Sequence, residues 1–552
     1  MSAGPAIDSH PRSGFSSARL GRYALVVLGA ALVATYLVDL RRTPVYFGGD
    51  EAHFAVIGQS LATDGTSLVG DRWPVFVRLD DPAGPQEPLP WGTTWYQPLL
   101  FYVVALVLKV LPLTEATVRL PMAIVGGIIN PLLMFAVGRR LFRHDGLAAL
   151  GAALLLLSPA HLILSRQALD YVAPLPFVLA WFWCVLTYVD SRQTRFALAG
   201  GVVLGLGCYS YIASWGLMPG FLALSGLAYW WAGGRWMKAT ALSAAGFATA
   251  VVPAVVWLSR HQEMLVDTVR RYQVAEDGGG QVLSDSGFGI SRVAELVSIY
   301  WDYFDPAYLF LLGGPSMTTS TGRVGVFLLP VAILLPLGLF AMLSDRQGAI
   351  WKFIILAGFL AAPLPAALRG VPSMVQRELL ILPFAALICV YGASFLRQFV
   401  PKGRVVVAVG LSLMVLQYGV FARDYWTHYK LRSAFYYDSI AFAAVADTLL
   451  GTHQAGAAPA VYFSADLDDV APKWRFYLTK SGRTDLLERT HYLDPDDDGP
   501  DVALPGSLWV LHNKAAQLKR MEERGLWAPL AIVADVDSRP AAVILRRGDR
   551  QP

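Results

Sequence analysis

Apolar segments long enough to cross a bilayer recur along this chain, and they restrict its fold more than any other feature. They are centred near residues 32, 105, 130, 155, 180, 204, 223, 248, 333, 360, 386 and 412. A helix needs roughly 20 apolar residues to cross a hydrocarbon core of about 30 Å. Hydrophobic residues make up 55% of the 552 residues and charged ones only 16%. We therefore expect a polytopic all-α membrane protein, and the small net charge of +4 gives no indication of a nucleic-acid partner.

Basic residues in the short loops indicate how the chain is oriented, because Lys and Arg favour the cytoplasmic side of a membrane. The clusters are Arg139–Arg143, Arg192–Arg195, Arg235–Lys238, Arg346–Lys352 and Arg397–Arg404. Placing all of them in the cytoplasm gives a cytoplasmic N-terminus of residues 1–21 and a transmembrane domain of residues 22–423. Two loops, 43–96 and 260–322, and the tail 424–552 then lie outside.

Two segments decide the number of crossings. Tyr23–Leu40 follows three arginines, is long for a signal-peptide core, and is interpreted as an uncleaved first membrane helix. Gln97–Leu111 is apolar over only 15 residues. We interpret it as a re-entrant or tilted helix, which gives about eleven crossings. Short additional crossings near residues 97–131 or 295–313 are the alternative, so we expect 11–13 transmembrane helices.

The tail from Asp424 onward differs from the rest of the chain because it is polar and alternates strand-like and helix-like segments. The predicted strands are Val461–Ser464, Ser507–His512, Leu530–Ala534 and Ala541–Arg546, and the predicted helices are Val470–Lys480 and Lys514–Arg524. Alternation of this kind is typical of a small α/β domain. The topology places this domain on the extracytoplasmic side.

Two acids and a histidine stand just beyond the first membrane helix, in the run Gly48–Phe54. A carboxylate of Asp50 or Glu51 is suited to take a proton from an attacking hydroxyl group. The same two acids would also stabilise the N-terminus of a helix, and Ala52–Ala62 is predicted to form an amphipathic helix on the membrane surface. Both roles remain open. His53 shows no recognisable metal spacing, although the acidic pair leaves a divalent cation open as a cofactor.

Three arginines are candidates for binding a phosphate at the outer face. Arg166 lies between two apolar runs and is either a phosphate ligand or the partner of Asp170, one helical turn on. Arg377 and Arg323 each open an apolar run, where an arginine serves equally as an anchor at the membrane interface. For each arginine, both a phosphate-binding role and a structural role remain open.

The outer motifs resemble those of the GT-C glycosyltransferases, in the branch that holds protein O-mannosyltransferases and lipid A aminoarabinose transferases. Asp50–Phe54 is similar to the Asp-Glu-x-His-Phe signature of the mannosyltransferases, and Gln97–Tyr102 to the proline-containing element that follows it. Ser158–Pro159 with Ser165–Asp170 is similar to the next outer turn. Gln97 stands where the family has His or Lys. The resemblance covers about residues 22–420.

The resemblance implies an inverting membrane glycosyltransferase that uses a sugar on a polyprenyl phosphate and an acceptor hydroxyl of a lipid, glycan or protein. It implies Asp50 as the general base and Glu51 as a catalytic residue that binds the acceptor or sugar and sets the electrostatic field of the base. It implies that the donor phosphate is bound by Arg166, Arg377 and Arg323, and the substrates by His53, Tyr96, Gln97 and Asp170. The expected location is a bacterial inner membrane, with the site facing outward.

Two other classes of protein remain. A transporter or flippase of lipid-linked glycan precursors would also need many helices and outer arginines, but it predicts charges at mid-membrane depth. An assembly scaffold that uses the tail would keep its function without the Asp50 carboxylate.

Overall fold

The structure is a computed structural model, and it describes residues 27–85, 89–90, 92–273, 290–344, 347–451, 454–494, 503–514, 518–519 and 525–548. The predicted N-terminus 1–21, Arg346 and most of the predicted helix Lys514–Arg524 lie outside these residues.

Helices predominate in the described chain between residues 27 and 457. They are α1 (Val27–Leu37), α2 (Gly49–Thr63), α3 (Leu99–Leu108), α4 (Glu115–Ile124), α5 (Asn130–Phe142), α6 (Asp145–Leu156), α7 (Pro159–Ser165), α8 (Pro174–Ser191), α9 (Thr194–Gly207), α10 (Ser214–Ala232) and α11 (Trp236–Leu258). They continue with α12 (Glu263–Gln273), α13 (Ile290–Asp302), α14 (Val331–Ser344), α15 (Ala349–Ala361), α16 (Leu364–Ala367), α17 (Ile381–Phe399), α18 (Gly403–Asp424), α19 (Lys430–Tyr437), α20 (Phe442–Gly451) and α21 (Gln454–Ala457). A short hairpin of β1 (Val77–Arg78) and β2 (Trp95–Tyr96) interrupts them.

Six of the described helical stretches are long and apolar enough to cross a membrane, and α6 with α7 forms a seventh that is bent by 62°. Other apolar helices, such as α9 and α14, are shorter than 18 residues. The prediction of 11–13 crossings therefore stays a prediction. The ten-residue α3 rises about 15 Å, half the thickness of the hydrocarbon core, so it does not cross the membrane by itself.

Glycines bring several membrane helices into backbone contact. A Cβ at Gly201 of α9 would lie 1.9 Å from the Ser243 carbonyl oxygen of α11, and one at Gly338 of α14 would lie 1.9 Å from the Ile388 carbonyl oxygen of α17. Small residues of this kind let helices approach closely in lipid, where apolar burial supplies little driving force. These contacts hold the frame on which the outer loops rest.

The helix α2 differs from its prediction. It was expected on the membrane surface, but its apolar residues are buried on several sides, including Phe54, Val56 and Ile57. Phe54 packs on Phe101 of α3 with ring centroids 4.4 Å apart. The tertiary structure thus covers with protein the face that we had assigned to lipid.

The tail forms a five-stranded mixed sheet with strand order β4-β3-β5-β7-β6. Its elements are β3 (Val461–Ser464), α22 (Val470–Ser481), β4 (Thr490–Leu493), β5 (Leu508–His512), β6 (Trp527–Ala534) and β7 (Pro540–Arg547). Strand β3 runs parallel to β4 and β5, while β7 runs antiparallel to β5 and β6. The predicted α/β domain is confirmed, and β4 is the strand that the sequence did not reveal.

The C-terminal domain rests directly on α2 and the first outer loop. Arg475 of α22 donates two hydrogen bonds to Asp81, and Lys480 donates one of 2.7 Å to Glu115. The buried apolar residues of α2, α3, α22 and the sheet form one continuous cluster. The domain therefore completes the core around α2.

Candidate active site

A cavity of about 200 Å³ lies beside the N-terminal end of α2. The residues that line it include Asp50, Trp95, Tyr96, Gln97, Asp170, Tyr171, Tyr211, Arg271, Gln376 and Arg377. They come from α2, β2, α12, the link from β2 to α3, the turn between α9 and α10, and the turns that open α8 and α17. Five of the predicted site residues, including Asp50 and Arg377, are thus brought together.

Asp50 is one of two carboxylates in the lining of this cavity, the other being Asp170. The Tyr96 hydroxyl donates a hydrogen bond of 3.2 Å to Asp50 Oδ1. Burial raises the pKa of Asp50 above its ordinary value, and the neighbouring Asp469 raises it further. His53, Tyr96 and Arg271 act in the opposite direction, yet the net shift of this pKa is upward. A raised pKa makes a carboxylate a stronger base, which suits proton abstraction.

Arg271 is a cation of the cavity that sequence reasoning missed. Asp267, one turn earlier on α12, accepts hydrogen bonds from the Trp95 indole and the Thr93 amide. This anchor places the Arg271 guanidinium over the Tyr96 ring, 5.4 Å from its centroid. Arg369 also donates to the Arg271 carbonyl oxygen. A signal existed in the sequence, because Arg270–Arg271 is a basic pair inside a loop assigned to the outer side.

Glu51 does not line the cavity, although it is adjacent to Asp50. Its Oε1 accepts from Arg119 Nε and from the Ala168 amide, both at 2.8 Å. Its Oε2 accepts from Arg119 Nη2 at 2.7 Å and from the Gly48 amide at 3.1 Å. The helix-capping interpretation thus applies to Glu51, and its predicted role in substrate binding is not what the geometry supports.

Arg166 is also placed away from the cavity. Its guanidinium is buried and donates to the carbonyl oxygens of Thr35, Tyr36 and Thr43, where the chain leaves α1. It also lies over the ring of Trp426, 5.1 Å from the centroid. Neither prediction for Arg166, a phosphate ligand or a partner of Asp170, agrees with these contacts, because both of its terminal nitrogens donate to backbone carbonyl oxygens.

Arg323 lies on an exposed surface. Its side chain is 62% exposed and forms a 3.4 Å ion pair with Asp424, which also pairs with Arg432 at 2.8 Å. The predicted phosphate contact of Arg323 is corrected accordingly, since its partner stands at the end of α18.

Gln97 and Asp170 line the cavity as predicted, whereas His53, three residues after Asp50 on α2, is not one of its lining residues. The amide nitrogen of Gln97 is buried and has no hydrogen-bond partner among the described residues. The same holds for Nδ1 of His53, whose pKa is lowered by burial. A buried polar group without a partner inside a cavity is suited to receive one from a ligand.

The aromatic residues of the first outer loop separate into two groups. Trp95 and Tyr96 line the cavity, while Trp73 is 58% exposed. No group of three or more His, Cys, Asp or Glu residues close enough to hold a metal ion occurs in the described chain. Because both Glu51 oxygens are taken by donors, Asp50 and Glu51 do not offer a shared cation site.

The chain is similar to a known family and to solved membrane proteins. The family model for dolichyl-phosphate-mannose-protein mannosyltransferase matches residues 92–259. A solved structure of ArnT from Cupriavidus metallidurans, bound to undecaprenyl phosphate, matches with a TM-score of 0.54 at 15% identity, over 96% of this chain and 98% of that one. The chain has the GT-C fold. The resemblance and the fold class inferred from the sequence are thereby confirmed.

Other comparisons are weaker. The oligosaccharyltransferase of Archaeoglobus fulgidus, solved with Zn and sulfate, matches with a TM-score of 0.46 at 12% identity, covering 85% of this chain and 62% of that one. No curated protein matches the sequence. The family match and the GT-C fold together support a membrane glycosyltransferase.

Proposed function

We propose that this protein is an inverting membrane glycosyltransferase that moves a sugar from a polyprenyl phosphate to an acceptor hydroxyl. The observation that carries the proposal is one cavity whose lining contains Asp50 together with the two arginines Arg271 and Arg377. A base and two fixed cations are what transfer away from a phosphate requires, because the base activates the acceptor and the cations stabilise the departing anion.

The choice of donor has two supports. The matching family is described by dolichyl-phosphate-mannose, and the ArnT structure contains undecaprenyl phosphate. Dolichyl phosphate and undecaprenyl phosphate are both polyprenyl phosphates, the class of lipid that we propose as the carrier of the donor sugar. The sugar and the acceptor remain open between a hexose and a pentose, and between a lipid, a glycan and a protein.

The proposed reaction is a single displacement. Asp50 takes the proton of the acceptor hydroxyl, and the oxygen forms a bond to the anomeric carbon of the donor sugar. The bond between that carbon and the phosphate oxygen breaks, and the electron pair leaves with the phosphate. Arg377 and Arg271 stabilise the negative charge on the departing oxygen. Attack opposite to the leaving group inverts the anomeric centre.

Glu51 acts in this scheme as a positioning residue. Through Arg119 and the Gly48 amide it fixes the turn that presents Asp50 to the cavity. We propose that the site and the C-terminal domain face outward from a bacterial inner membrane, which the basic residues of the predicted cytoplasmic loops support.

The test is transfer of radiolabelled sugar from polyprenyl-phosphate donors in membranes that contain wild type, Asp50→Asn or Asp64→Asn. Asp64 is an exposed acid at the opposite end of α2 and serves as the matched control. We expect Asp50→Asn to lose about 10²–10⁴-fold in rate and the control to match wild type, because general bases contribute rates of that order. Equal labelling by Asp50→Asn and wild type would falsify the assignment of Asp50 as the general base. Absence of labelling by wild type with every donor would favour the transporter.

A further inference from the structure

A second cavity, of about 520 Å³, lies in the C-terminal domain. Small-molecule sites generally occupy about 300–1,000 Å³. The wall contains Asp466 and Asp468 from the segment after β3, and His512 and Lys514 from the end of β5. The proposed transfer reaction makes no use of this space.

The cavity stands at one defined edge of the sheet. Strands β3 and β5 run parallel, so the residues that follow them meet at their carboxyl ends. Because β7 is antiparallel to β5 and β6 to β7, the start of β7 at Pro540 and the residue after β6, Asp535, reach the same edge. Residues from four strands thus converge on one space.

The order of the strands makes this edge a binding position. The chain proceeds from β3 to β4 on one side and then to β5 on the other, which gives the order β4-β3-β5. In open α/β sheets, ligands bind outside the carboxyl ends of parallel strands at the point where the strand order reverses. The reversal here falls between β3 and β5, and the cavity is located at that point.

The side chains of the wall match a neutral polar ligand. The carboxylates of Asp466, Asp468 and Asp535 accept hydrogen bonds, while Lys514 and Arg539 donate them. Lys514 already neutralises Asp466 through a 3.0 Å ion pair. Arg539 pairs in turn with Asp537, so both cations of the wall are neutralised, and the carboxylates of Asp468 and Asp535 remain as acceptors. This arrangement disfavours an anionic ligand and suits the hydroxyl donors of an uncharged one.

One phenylalanine ring contributes to the lining of the cavity. Phe435 of α19 contributes its ring to the lining and is 60% exposed. Carbohydrates combine hydroxyl groups that both donate and accept with apolar C–H faces that pack on aromatic rings. The combination of paired charges and one exposed ring is complementary to a sugar.

We propose that this cavity binds a neutral carbohydrate, the sugar portion of the acceptor. Identifying the bound sugar as part of the acceptor rests on the proposed function, because a transferase needs a place to hold the molecule that it modifies. Two contacts join this part of the C-terminal domain to the segment that contains Asp50. The Tyr46 hydroxyl, close to Asp50 in sequence, donates to Asp535, and Asp469, next to Asp468, lies against Gly49.

The experiment measures binding separately from transfer. The full chain is placed in lipid nanodiscs without glycoside detergents, and saturation-transfer NMR is recorded with methyl glycosides of hexoses and pentoses. The variants are Asp468→Ala and Lys514→Gln. Asp485→Asn, an exposed acid before β4 at the amino edge of the sheet, is the matched control. Asp50→Asn is included to separate the two cavities.

We expect at least one methyl glycoside to bind, with affinity lowered tenfold or more in Asp468→Ala and Lys514→Gln. Affinity should stay unchanged in Asp485→Asn and Asp50→Asn. Binding that is insensitive to both cavity variants, or no binding by any glycoside, overturns the proposal. If binding persists while Asp50→Asn keeps full transfer activity, the proposed function fails and the carbohydrate site stands.

A second arm identifies the source of the sugar. Octyl β-glucoside, which is absent from the preparation and is added only as a ligand, is compared with methyl β-glucoside at the same variants. Tighter cavity-dependent binding of the octyl compound indicates the headgroup of a glycolipid, and equal binding indicates a free or protein-linked glycan. Loss of cavity dependence for both compounds counts against the site.

Discussion

At the scale of single residues, Asp50 and Glu51 show how adjacent acids acquire different roles. Neighbouring residues of an α-helix point about 100° apart, since a turn takes 3.6 residues. Asp50 is thereby directed to the cavity and Tyr96, while Glu51 is directed to Arg119. The environment of each carboxylate, and not its identity, decides which one is suited to act as a base.

The pH dependence of transfer tests this assignment. A general base works when deprotonated, so the rate falls as the pH drops through the raised pKa of Asp50. Asp469→Asn removes a negative neighbour that raises this pKa, and the acid limb should move to lower pH. Tyr96→Phe removes a donor that lowers the pKa, and the limb should move to higher pH. Profiles of kcat/KM check both directions, and shifts of the same sign would contradict the assignment.

The arginines permit a matched comparison. Arg271→Gln and Arg377→Gln should each lower kcat/KM by about 10²–10³-fold, as loss of one fixed group that stabilises developing charge does. Arg323→Gln should leave transfer unchanged, because Arg323 is exposed and pairs with Asp424. Steady-state kinetics of the three variants decide the matter. A loss in Arg323→Gln equal to that of the others would restore its predicted phosphate contact.

At the scale of elements, the start of α2 is held by a buried ion pair. Arg119 and Glu51 are only 1% and 2% exposed, and the guanidinium also donates to three carbonyl oxygens, those of Leu40, Pro44 and Tyr46. One side chain of α4 thus ties together α2 and the chain that enters it. Removing one partner would leave the other charge buried without compensation.

We therefore expect Arg119→Met to destabilise the folded protein by about 3–5 kcal/mol. Arg323→Met, at the exposed pair with Asp424, should change stability by less than about 1 kcal/mol. Thermal unfolding of the two purified variants in the same detergent provides the comparison. Similar midpoints for both would mean that the buried pair contributes no more than a surface pair.

At the scale of the whole molecule, the C-terminal domain is part of the frame around the transfer site. A Cβ at Gly49 would lie 1.9 Å from Asp469 Oδ2, so only glycine permits this approach of α2 to the start of α22. Phe47 packs on Phe476 with centroids 4.7 Å apart. The domain and the membrane part thus share one buried surface next to Asp50.

Releasing this contact should loosen α2 while the membrane helices stay folded. Arg475→Met removes the pair with Asp81, whose side chain is 7% exposed. A loss of about 1.4 kcal/mol corresponds to tenfold, so we expect amide exchange in residues 49–63 and 470–481 to accelerate by that order. Residues 381–399 serve as the internal control. Equal amide exchange rates of α2 in Arg475→Met and in wild type would show that contacts other than the Arg475–Asp81 pair hold the domain in place.

The sequence by itself determined the class of the protein, its outer motifs and most of its C-terminal strands. These features depend on local composition: apolar runs of membrane length, alternation in Val461–Ser464, and the acids that follow two glycines. Such patterns are readable because each residue's contribution depends on near neighbours in the chain.

Only the tertiary structure decided which charged groups meet. Glu51 and Arg119 are 68 residues apart and Asp469 is far beyond both, yet all three surround the same turn. Arg166 and Arg323 are of the residue type expected at a phosphate site. However, the Arg166 guanidinium donates to backbone carbonyl oxygens, and Arg323 pairs with Asp424. Arg271 enters the cavity because Asp267 anchors its helix to Trp95. Long-range packing selects these partners, and a local pattern does not contain that information.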